Sequence, residues 1–415
     1  MGIKIFCNFY KTYRYVFHNL DTYNLISFIK KLILLKYCKN CLYPDTKPEL
    51  GFDENDVCDA CNSIKFKEKI DWSSRRNDLE QILEKYRNKD GSKYDCIIPV
   101  SGGKDSHYQA YVIKEEFGLN PLLVNFHPID FTDIGRKNIE NLKSLGIDCI
   151  EFTANPVIYK KLSRFGLHEL GDFEWPEHIG IFTIPVQIAV NYKIPLIIWG
   201  ENPQMEYGGS EQVRSSPYLD REWNEKHGGY FLDKIKPIDM LKYGIERKDL
   251  LAYLYPSDEE IRNVGVTGIF LGHYLKWDMF KQLDIVKKLG FSLNPEIKEG
   301  TYSNWENLDT KYTVFHDYFK FLKYGFGRAT DHTSIEIRYG RMTREEGLKL
   351  VKQYEGKIPT KYLQEFLNDA GLTFEEFLKV CEKFTNKNLF KKDNNGNLFQ
   401  DKNGNLEKIH YDNLI

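Results

Sequence analysis

The chain has 415 residues, 41% hydrophobic and 14% aromatic, which is long and apolar enough for two or three domains with sizeable cores. A formal net charge of −2 argues against a protein that holds nucleic acids on a basic surface, so no nucleic-acid partner is expected. Eight cysteines in a chain of this length do not make a disulfide scaffold.

Residues 1–36 are rich in Tyr, Phe, Ile and Leu. Five apolar residues in this segment share one helical face: Leu25, Phe28, Ile29, Leu32 and Ile33. This pattern predicts a helical extension packed on the body or on a second subunit, with a membrane-surface or partner-docking helix as the alternative. The apolar stretch is short and contains Lys30 and Lys31, and no cleavable signal is evident, so we expect a cytoplasmic protein without a transmembrane segment.

Two pairs of cysteines follow, with the spacing C-x2-C-x16-C-x2-C. The four residues are Cys38, Cys41, Cys58 and Cys61. This spacing is typical of a tetrahedral zinc site, and four thiolates close the coordination sphere. The sequence therefore predicts a structural Zn²⁺ in a ribbon over residues 37–72. Two disulfides are the alternative, which the expected compartment disfavours.

A glycine-rich turn joins a predicted strand, Tyr94 to Ile98, to helical spacing that runs from His107 to Phe117. The turn reads Ser101-Gly102-Gly103-Lys104-Asp105-Ser106. A helix N-terminus directs N–H groups and the positive end of its dipole at one spot, which suits phosphate. The loop offers hydroxyl donors, a cation and a carboxylate for a metal. It is not a Walker A loop, because Ile98 stands where that motif needs glycine. An ordinary strand–turn–helix junction is the alternative.

Strands and helices alternate after this turn. Strands are predicted over 121–126, 148–153, 194–199 and 268–274, and helices over 136–145, 156–165, 179–192 and 277–289. Residues 171–178 are predicted as a polar loop. The alternation predicts an α/β domain over residues 73–290, with a parallel sheet and helices on both faces.

Ligands bind beyond the carboxyl ends of the strands in such sheets. This rule places Asn125, Phe126, Gly200 and Glu201 beside the glycine-rich turn. Glu201 is a predicted second Mg²⁺ ligand, with a helix cap or an exposed turn acid as the alternative. Residues 203–236 lack clear periodicity and are predicted to cover this rim as an insertion, in which Tyr207 lies.

Residues 291–390 are predicted to be mainly helical, and two capping boxes, Thr343 with Glu346 and Thr373 with Glu376, support this. A charged group in this region predicts contacts to an anionic substrate, with a solvated basic face as the alternative. Together with Asn202 and Tyr207, the candidate substrate residues are Arg328, Asp331, His332, Arg338 and Arg341. Residues 391–415 carry two Asn-Gly turns that predict a hairpin.

The glycine-rich turn resembles the PP-loop of the N-type ATP pyrophosphatases, whose fold is like that of the adenine nucleotide alpha hydrolases. Residues 37–385 resemble the bacterial N-acetyl sugar amidotransferases, which act in O-antigen and in pseudaminic- or legionaminic-acid pathways. Besides the turn, the resemblance is carried by Tyr37 to Pro48, Phe52-Asp53-Glu54, Trp199 to Pro203, Gly325 to Asp331 and Arg341 to Glu346. Residues 1–36 fall outside it.

This resemblance implies that ATP is cleaved to AMP and pyrophosphate while a sugar acetamido group becomes an acetamidino group. Catalysis would fall to Lys104, Asp105 and Glu201, and Asp105 and Glu201 would hold Mg²⁺. ATP would be bound by Ser101, Gly102, Gly103, Lys104, Asp105, Ser106, Asn125, Phe126 and Gly200. The acceptor would be a free or nucleotide-linked acetamido sugar.

The family also implies that ammonia comes from a separate glutaminase, resembling that of imidazole glycerol phosphate synthase, and allows for a cyclase-like channelling subunit. No cysteine here sits in a Gly-x-Cys-x-Gly elbow, which agrees with an external ammonia source. A tRNA-thiolating enzyme is the rival interpretation. It would need reactive cysteines, whereas Cys96 and Cys149 lie in predicted strands and are expected to be buried and inert. A non-catalytic scaffold is a further alternative.

Overall fold

The computed structural model of the protein describes residues 35–227, 235–398 and 405–409. The predicted N-terminal helix lies outside these residues except for its last two positions. Of the predicted tail hairpin, the described part shows antiparallel bridges between Lys392 and Leu398 and between Phe390 and Lys408. No helix among the described residues is long and apolar enough to cross a membrane.

Five parallel strands form the central sheet, in the order β3-β2-β1-β4-β5. The strands are β1 (Cys96–Pro99), β2 (Pro121–His127), β3 (Cys149–Thr153), β4 (Leu196–Trp199) and β5 (Thr267–Phe270). The chain moves outward from β1 in one direction to β2 and β3, and in the other to β4 and β5. The carboxyl end of β1 is therefore the point where the strand order reverses, which is where open α/β sheets bind ligands.

Helices cover both faces of the sheet and form the C-terminal region. In the sheet domain and before it they are α1 (Asp59–Glu68), α2 (Trp72–Tyr86), α3 (Lys104–Tyr111), α4 (Asp133–Ser144), α5 (Pro156–Leu170), α6 (Trp175–Tyr192), α7 (Pro203–Tyr207), α8 (Glu211–Arg214), α9 (Arg221–His227), α10 (Asp258–Val264), α11 (Leu271–Tyr274) and α12 (Met279–Lys288). The C-terminal region adds α13 (Thr313–Tyr324), α14 (Arg328–Arg338), α15 (Arg344–Tyr354), α16 (Leu363–Ala370) and α17 (Phe374–Phe384). A π-helical turn, Val112–Glu116, extends α3, and two 3₁₀ segments span Pro237–Tyr243 and Arg247–Tyr253.

Successive side chains of a strand point to opposite faces, and this alternation divides the core into two layers. Ile97 packs in one layer with Phe126 and with Trp175 of α6. Ile98 packs in the other layer with Leu83 of α2. The strands are thus buried on both faces, as a parallel sheet between helices requires, and the predicted α/β fold is confirmed.

The C-terminal helices form a separate core made largely of aromatic rings. Phe315 of α13 stacks on Phe366 of α16 with ring centroids 4.0 Å apart, and Phe377 of α17 packs against both rings. The capping boxes at Thr343 and Thr373 are both present, and each begins a helix as predicted.

Several boundaries differ from the sequence predictions, among them the starts of α3 and α6 and the end of β5. Helix α3 begins at Lys104, not at His107, because Gly102 has a φ of +86° and turns the chain directly into the helix. Helix α6 begins at Trp175 within the predicted loop, since Pro176 presets the backbone of a first helical turn. Strand β5 ends at Phe270, and the last predicted strand residues form α11.

Helices α5 and α6 pack closely where Gly166 faces the turn between them. A Cβ on Gly166 would lie 2.4 Å from the carbonyl oxygen of Asp172 and 2.8 Å from Cβ of Trp175. Both neighbours are fixed by backbone, so an added methyl group has no room. The turn that contains Asp172 can therefore pack this closely on α5 only because Gly166 has no side chain.

We expect Gly166→Ala to destabilise the protein by about 1–3 kcal/mol through overpacking. Urea unfolding followed by circular dichroism measures the change. Lys161→Ala, at an exposed position of the same helix, is the control and should leave the midpoint nearly unchanged. An unchanged midpoint for Gly166→Ala would contradict the close packing.

Candidate active site

The four paired cysteines come together in one buried cluster. Sγ of Cys38 lies 3.8 Å from Sγ of Cys61, and Sγ of Cys41 lies 3.6 Å from Sγ of Cys58. These separations exceed a disulfide bond of about 2.05 Å, and all four residues are free thiols. Backbone N–H groups donate to Sγ of Cys38 from Asn40, Cys41 and Cys58. A closed, all-sulfur donor set with these amide contacts fits Zn²⁺.

The cysteine cluster is fastened to the C-terminal helices. Arg344 of α15 donates to the carbonyl oxygens of Cys38 and Cys41. The Tyr43 hydroxyl donates to a carboxylate oxygen of Asp331 at 2.9 Å. The guanidinium of Arg338 lies over the Tyr43 ring, 5.4 Å from its centroid. The metal-binding segment is therefore packed against the region that follows the sheet domain.

The glycine-rich turn is organised by its own two serines. The amide of Ser101 donates to Oγ of Ser106 at 3.0 Å, and the amide of Gly103 donates to Oγ of Ser101 at 3.3 Å. Each hydroxyl accepts from backbone and keeps its own proton to donate. At the N-terminus of α3 these hydroxyls and the neighbouring amides form an arrangement that suits a phosphate group.

Lys104 is 3% exposed and lies among carboxylates. Its ammonium contacts Asp105 at 2.6 Å and Glu306 at 2.9 Å, and it stands 5.3 Å from the centroid of the Trp305 ring. Although burial alone would lower the pKa of Lys104, Asp105, Glu306 and Glu201 raise it above its usual value. The lysine is therefore a permanently charged group.

The carboxylates around Lys104 fit a divalent cation. Oδ1 of Asp105 is buried without a hydrogen-bond partner. Burial and the nearby Asp105 raise the pKa of Glu201 to about 8. Crowding of three carboxyl groups beside one ammonium disfavours their joint ionisation, and a divalent cation would relieve it, since oxygen ligands are those that Mg²⁺ prefers. Asp105 and Glu201 are the residues that would hold Mg²⁺ beside a triphosphate.

The glycine-rich turn and the carboxylates around Lys104 line a cavity at the carboxyl end of β1. A separate cavity of about 690 Å³, beside α9 and α10, contains none of these residues. The cavity at the end of β1 has a volume of about 510 Å³. The sheet domain contributes the predicted residues Ser101, Gly103, Lys104, Asp105, Ser106, Phe126, Gly200, Glu201 and Tyr207. The C-terminal region supplies the opposite wall: Trp305, Glu306, Asn307, Asp309, Thr310, Thr313, His316 and Arg328. We call this space the main cavity.

One wall of the main cavity is acidic. Glu174 accepts hydrogen bonds from Thr313 at 2.9 Å and from Thr310 at 3.2 Å, and burial raises its pKa to about 8. Glu177 accepts from the Tyr159 hydroxyl at 2.9 Å, and burial together with Glu174 raises the pKa of Glu177 well above its usual value. These carboxylates favour a cation or a donor group on this side.

A second space of about 330 Å³ adjoins the main cavity, and we call it the side chamber. The two share five lining residues: Pro203, Tyr207, His227, His316 and Arg328. Aromatic and basic groups line the side chamber: Trp175, Tyr324, Phe326, Lys47, Lys320 and Lys323. Asp331 lies here and not in the main cavity. The arrangement suits a polar ring compound with anionic substituents.

Six of the sequence-predicted ligand residues are absent from the lining of both spaces. Gly102, with a φ of +86°, makes the turn itself, and the other five have side chains with other contacts. The Asn125 amide donates to the carbonyl oxygen of Val100 at 2.8 Å and supports the turn from behind. The Asn202 side chain accepts from the amides of Gln204 and Met205, so it caps α7. Neither side chain is positioned to contact a ligand directly.

The other three belong to α14 and the turn after it. His332 contacts the Thr301 hydroxyl at 2.8 Å and stacks on Trp305, which stands next to Lys104. Arg338 donates to the carbonyl oxygen of Glu206 at 2.8 Å. Arg341 pairs with Glu336 at 2.9 Å and Asp278 at 3.2 Å. His332 and Arg338 are thus buried and Arg328 is partly buried, so the alternative of a solvated basic face does not hold for them, whereas Arg341 is exposed.

Several residues that line the main cavity carry no signal in the sequence. Glu306 and Trp305 lie in an irregular segment far along the chain, with no motif to connect them to Lys104. Glu174, Glu177 and His178 belong to the segment predicted as a polar loop, where the sequence indicates nothing beyond their polarity. Glu174 directly precedes α6, and Glu177 and His178 lie in its first turn. This placement directs all three side chains to the main cavity.

We expect Cys58→Ser to lose the cysteine-bound zinc and most of the soluble protein, because a buried four-thiolate site stabilises the fold that forms it. Metal analysis and the thiolate-to-cobalt charge-transfer band of the cobalt-substituted protein measure the loss. Cys149→Ser, in β3 away from the cluster, should keep both signals. A fully active Cys58→Ser protein with the cobalt band intact would contradict the assignment.

We expect Asp105→Asn to keep the fold and to lose turnover by on the order of 100-fold or more, because a neutral amide binds Mg²⁺ poorly. Release of AMP from ATP at saturating Mg²⁺ measures the effect. Asp133→Asn changes an exposed carboxylate in the first turn of α4 and is the matched control. Near-normal turnover by Asp105→Asn would rule out the metal role.

Two synthetases are among the solved structures that resemble this chain at low similarity. NMN synthetase from Francisella tularensis is 13% identical, with a TM-score of 0.31, over 66% of this chain and 94% of that one. NH3-dependent NAD synthetase from Campylobacter jejuni is 13% identical, with a TM-score of 0.27, over 55% of this chain and 100% of that one.

Sequence comparison returns one curated relative and one family. An uncharacterized protein of Methanocaldococcus jannaschii is 32% identical over 105 residues, which are 25% of this chain and 36% of that protein. The chain thus matches about a third of the length of this relative. Residues 299–403, which supply the second wall of the main cavity, match the family of the WbpG-like C-terminal domain of LPS biosynthesis proteins.

Proposed function

We propose that this protein is an ATP-dependent amidotransferase that converts the acetamido group of a sugar to an acetamidino group in the synthesis of a bacterial surface polysaccharide or nonulosonic acid. The observation that carries the proposal is the composition of the main cavity. The glycine-rich turn, which suits a phosphate group, forms one wall, and a region that matches an LPS biosynthesis domain forms the other. This combination supports ATP chemistry on an LPS-related acceptor at one site.

The turn would hold the part of ATP that leaves. The hydroxyls of Ser101 and Ser106 and the amides at the start of α3 would bind the pyrophosphate oxygens. Lys104 would offset the charge that develops as pyrophosphate departs. Mg²⁺ bound by Asp105 and Glu201 would supply further charge neutralisation. The α-phosphorus would then face the space between the turn and the side chamber.

The acceptor would occupy the side chamber. An amide oxygen is a poor leaving group, so AMP must first be transferred to it. Tyr207 and Arg328 line both spaces and would align the acetamide with the α-phosphorus. The basic groups Lys47 and Lys320 suit an acceptor that carries a carboxylate or a nucleotide diphosphate.

Ammonia would displace AMP from the adenylated amide. In solution it is mostly ammonium, which must lose a proton before it can attack. Glu174, with a pKa raised to about 8, ionises close to neutral pH, and in its ionised form it would attract such a cation and accept its proton. The proton would pass to that carboxylate as nitrogen approaches the amide carbon.

The cysteines support an external source of ammonia and disfavour the rival thiolation chemistry. Among the described cysteines, none lines the main cavity. Cys96 is fully buried in β1, and burial raises its pKa far above the usual value. Cys149 is only partly buried, contrary to prediction, but burial still raises its pKa to about 11. A nucleophilic cysteine needs a lowered thiol pKa, so that the thiolate is present near neutral pH.

We expect the purified protein to release AMP and pyrophosphate with an acetamido sugar and a high concentration of ammonium salt. With glutamine alone it should be inactive until a separate glutaminase is added. Mass spectrometry of products from a panel of free and nucleotide-linked acetamido sugars identifies the acceptor by the mass change from acetamido to acetamidino.

The Asp105→Asn variant serves as the control in this assay, since it lacks a metal ligand and should form neither product. Glutamine-dependent turnover by this chain alone would refute the need for a partner. ADP in place of AMP would refute adenylation. Retention of tRNA that is lost at high salt would favour the thiolation alternative.

A further inference from the structure

We propose that Asp172, His178 and His316 form a second divalent-metal site, distinct from the cysteine cluster and from the residues around Lys104. Each residue offers one ligand atom, and the three atoms lie within 4.8 Å of one another. Oδ1 of Asp172 is 3.0 Å from Nδ1 of His316, and Oδ2 of Asp172 is 3.4 Å from Nδ1 of His178. Two imidazoles thus converge on one carboxylate.

The spacing of these atoms matches a coordination shell. Nitrogen and oxygen ligands bind zinc at about 2.0–2.2 Å, so neighbouring ligands of one ion stand roughly 3.0–3.5 Å apart. The separations of 3.0 and 3.4 Å, which join the two histidines to different oxygens of the Asp172 carboxylate, fall in this range. Zinc–sulfur bonds are longer, at about 2.3 Å. The Sγ atoms of the cysteine cluster are correspondingly farther apart, at 3.6 and 3.8 Å.

A second observation comes from the other nitrogen of His178. Nε2 of this residue lies 3.8 Å from Oε2 of Glu174, whose Oε1 is held by the hydroxyls of Thr310 and Thr313. A carboxylate behind the distal nitrogen of an imidazole is the usual support of a metal-ligating histidine. The separation here is longer than a hydrogen bond, so Glu174 lies behind the ring as a nearby carboxyl group. Glu174 is 4% exposed and lines the main cavity beside His178.

The backbone fixes the third ligand. Helix α5 ends at Gly171 in the left-handed conformation, with φ of +64°, and Asp172 follows directly before α6. The close approach of Gly166 to the carbonyl of Asp172 leaves this turn little freedom. Ligands from a rigid turn, from α6 and from α13 would therefore meet an ion without rearrangement.

The site opens toward both the main cavity and the side chamber. His178 lines the main cavity, Asp172 lines the side chamber, and His316 lines both. Three protein ligands leave at least one position of an ion free, which is the pattern of sites that bind small molecules. We infer that this position takes an oxygen or nitrogen donor of a ligand at the junction of the two spaces. The mixed donor set suits Zn²⁺ or another first-row divalent ion.

The alternative is a hydrogen-bonded His–Asp–His group with no metal. Stepwise cobalt titration of the metal-depleted full chain separates the two interpretations. We expect one equivalent to raise the thiolate charge-transfer band of the cysteine cluster. A second equivalent should add only the weaker visible bands of a nitrogen–oxygen site. Saturation after one equivalent would overturn the proposal.

Variants test which residues bind the second equivalent of metal. After loading with Zn²⁺ and desalting, His316→Ala and Asp172→Asn should each hold one zinc fewer than the wild type, with the cobalt–thiolate band unchanged. His168→Ala, at an exposed position of α5, is the matched control and should hold as many as the wild type. Full zinc content in both site variants would exclude these ligands. None of these measurements uses ATP or turnover, so their outcome is independent of the proposed function.

Discussion

A buried ammonium group must be paired, and Lys104 takes its partners from two distant parts of the chain. Asp105 is its neighbour in α3, and Glu306 belongs to the region after the sheet domain. Leaving such a charge unpaired costs about 3–5 kcal/mol, so the two regions are held together at this point. The same contacts that close the fold therefore also assemble the wall opposite the glycine-rich turn.

A second buried network joins the metal-binding segment to the cavity. Tyr43 donates to Asp331, which pairs with Lys320 at 2.7 Å. Lys320 and Arg328 both contact Asp317, at 3.1 and 3.0 Å. Because Arg328 lines both the main cavity and the side chamber, a change at the cysteine cluster would reach the ligand site through three ion pairs. The cysteine cluster therefore lies outside the main cavity but is connected to it through buried charged groups.

Features encoded within a few residues were predictable, and contacts between distant segments were not. The cysteine pairs, the strand–glycine–helix turn and the capping boxes each depend on short spacings, and the structure contains all of them. Glu306 has no local pattern that connects it to Lys104. An amide at a strand end has the same sequence signature whether it binds a ligand or caps a helix, and Asn202 caps α7. Arg338 packs on Tyr43, which lies far away in the sequence, so its burial could not be predicted from the basic residues around it.

The hydrogen bond between Tyr43 and Asp331 spans 288 residues, and this separation has a consequence for synthesis on the ribosome. At about 5–20 residues per second, the cysteine segment emerges roughly 15–60 s before the helix that covers it. During that time its apolar side has no partner from α14 or α15. Early metal capture would hold the two cysteine pairs together over this interval, so zinc supply during translation would influence the yield of folded chains.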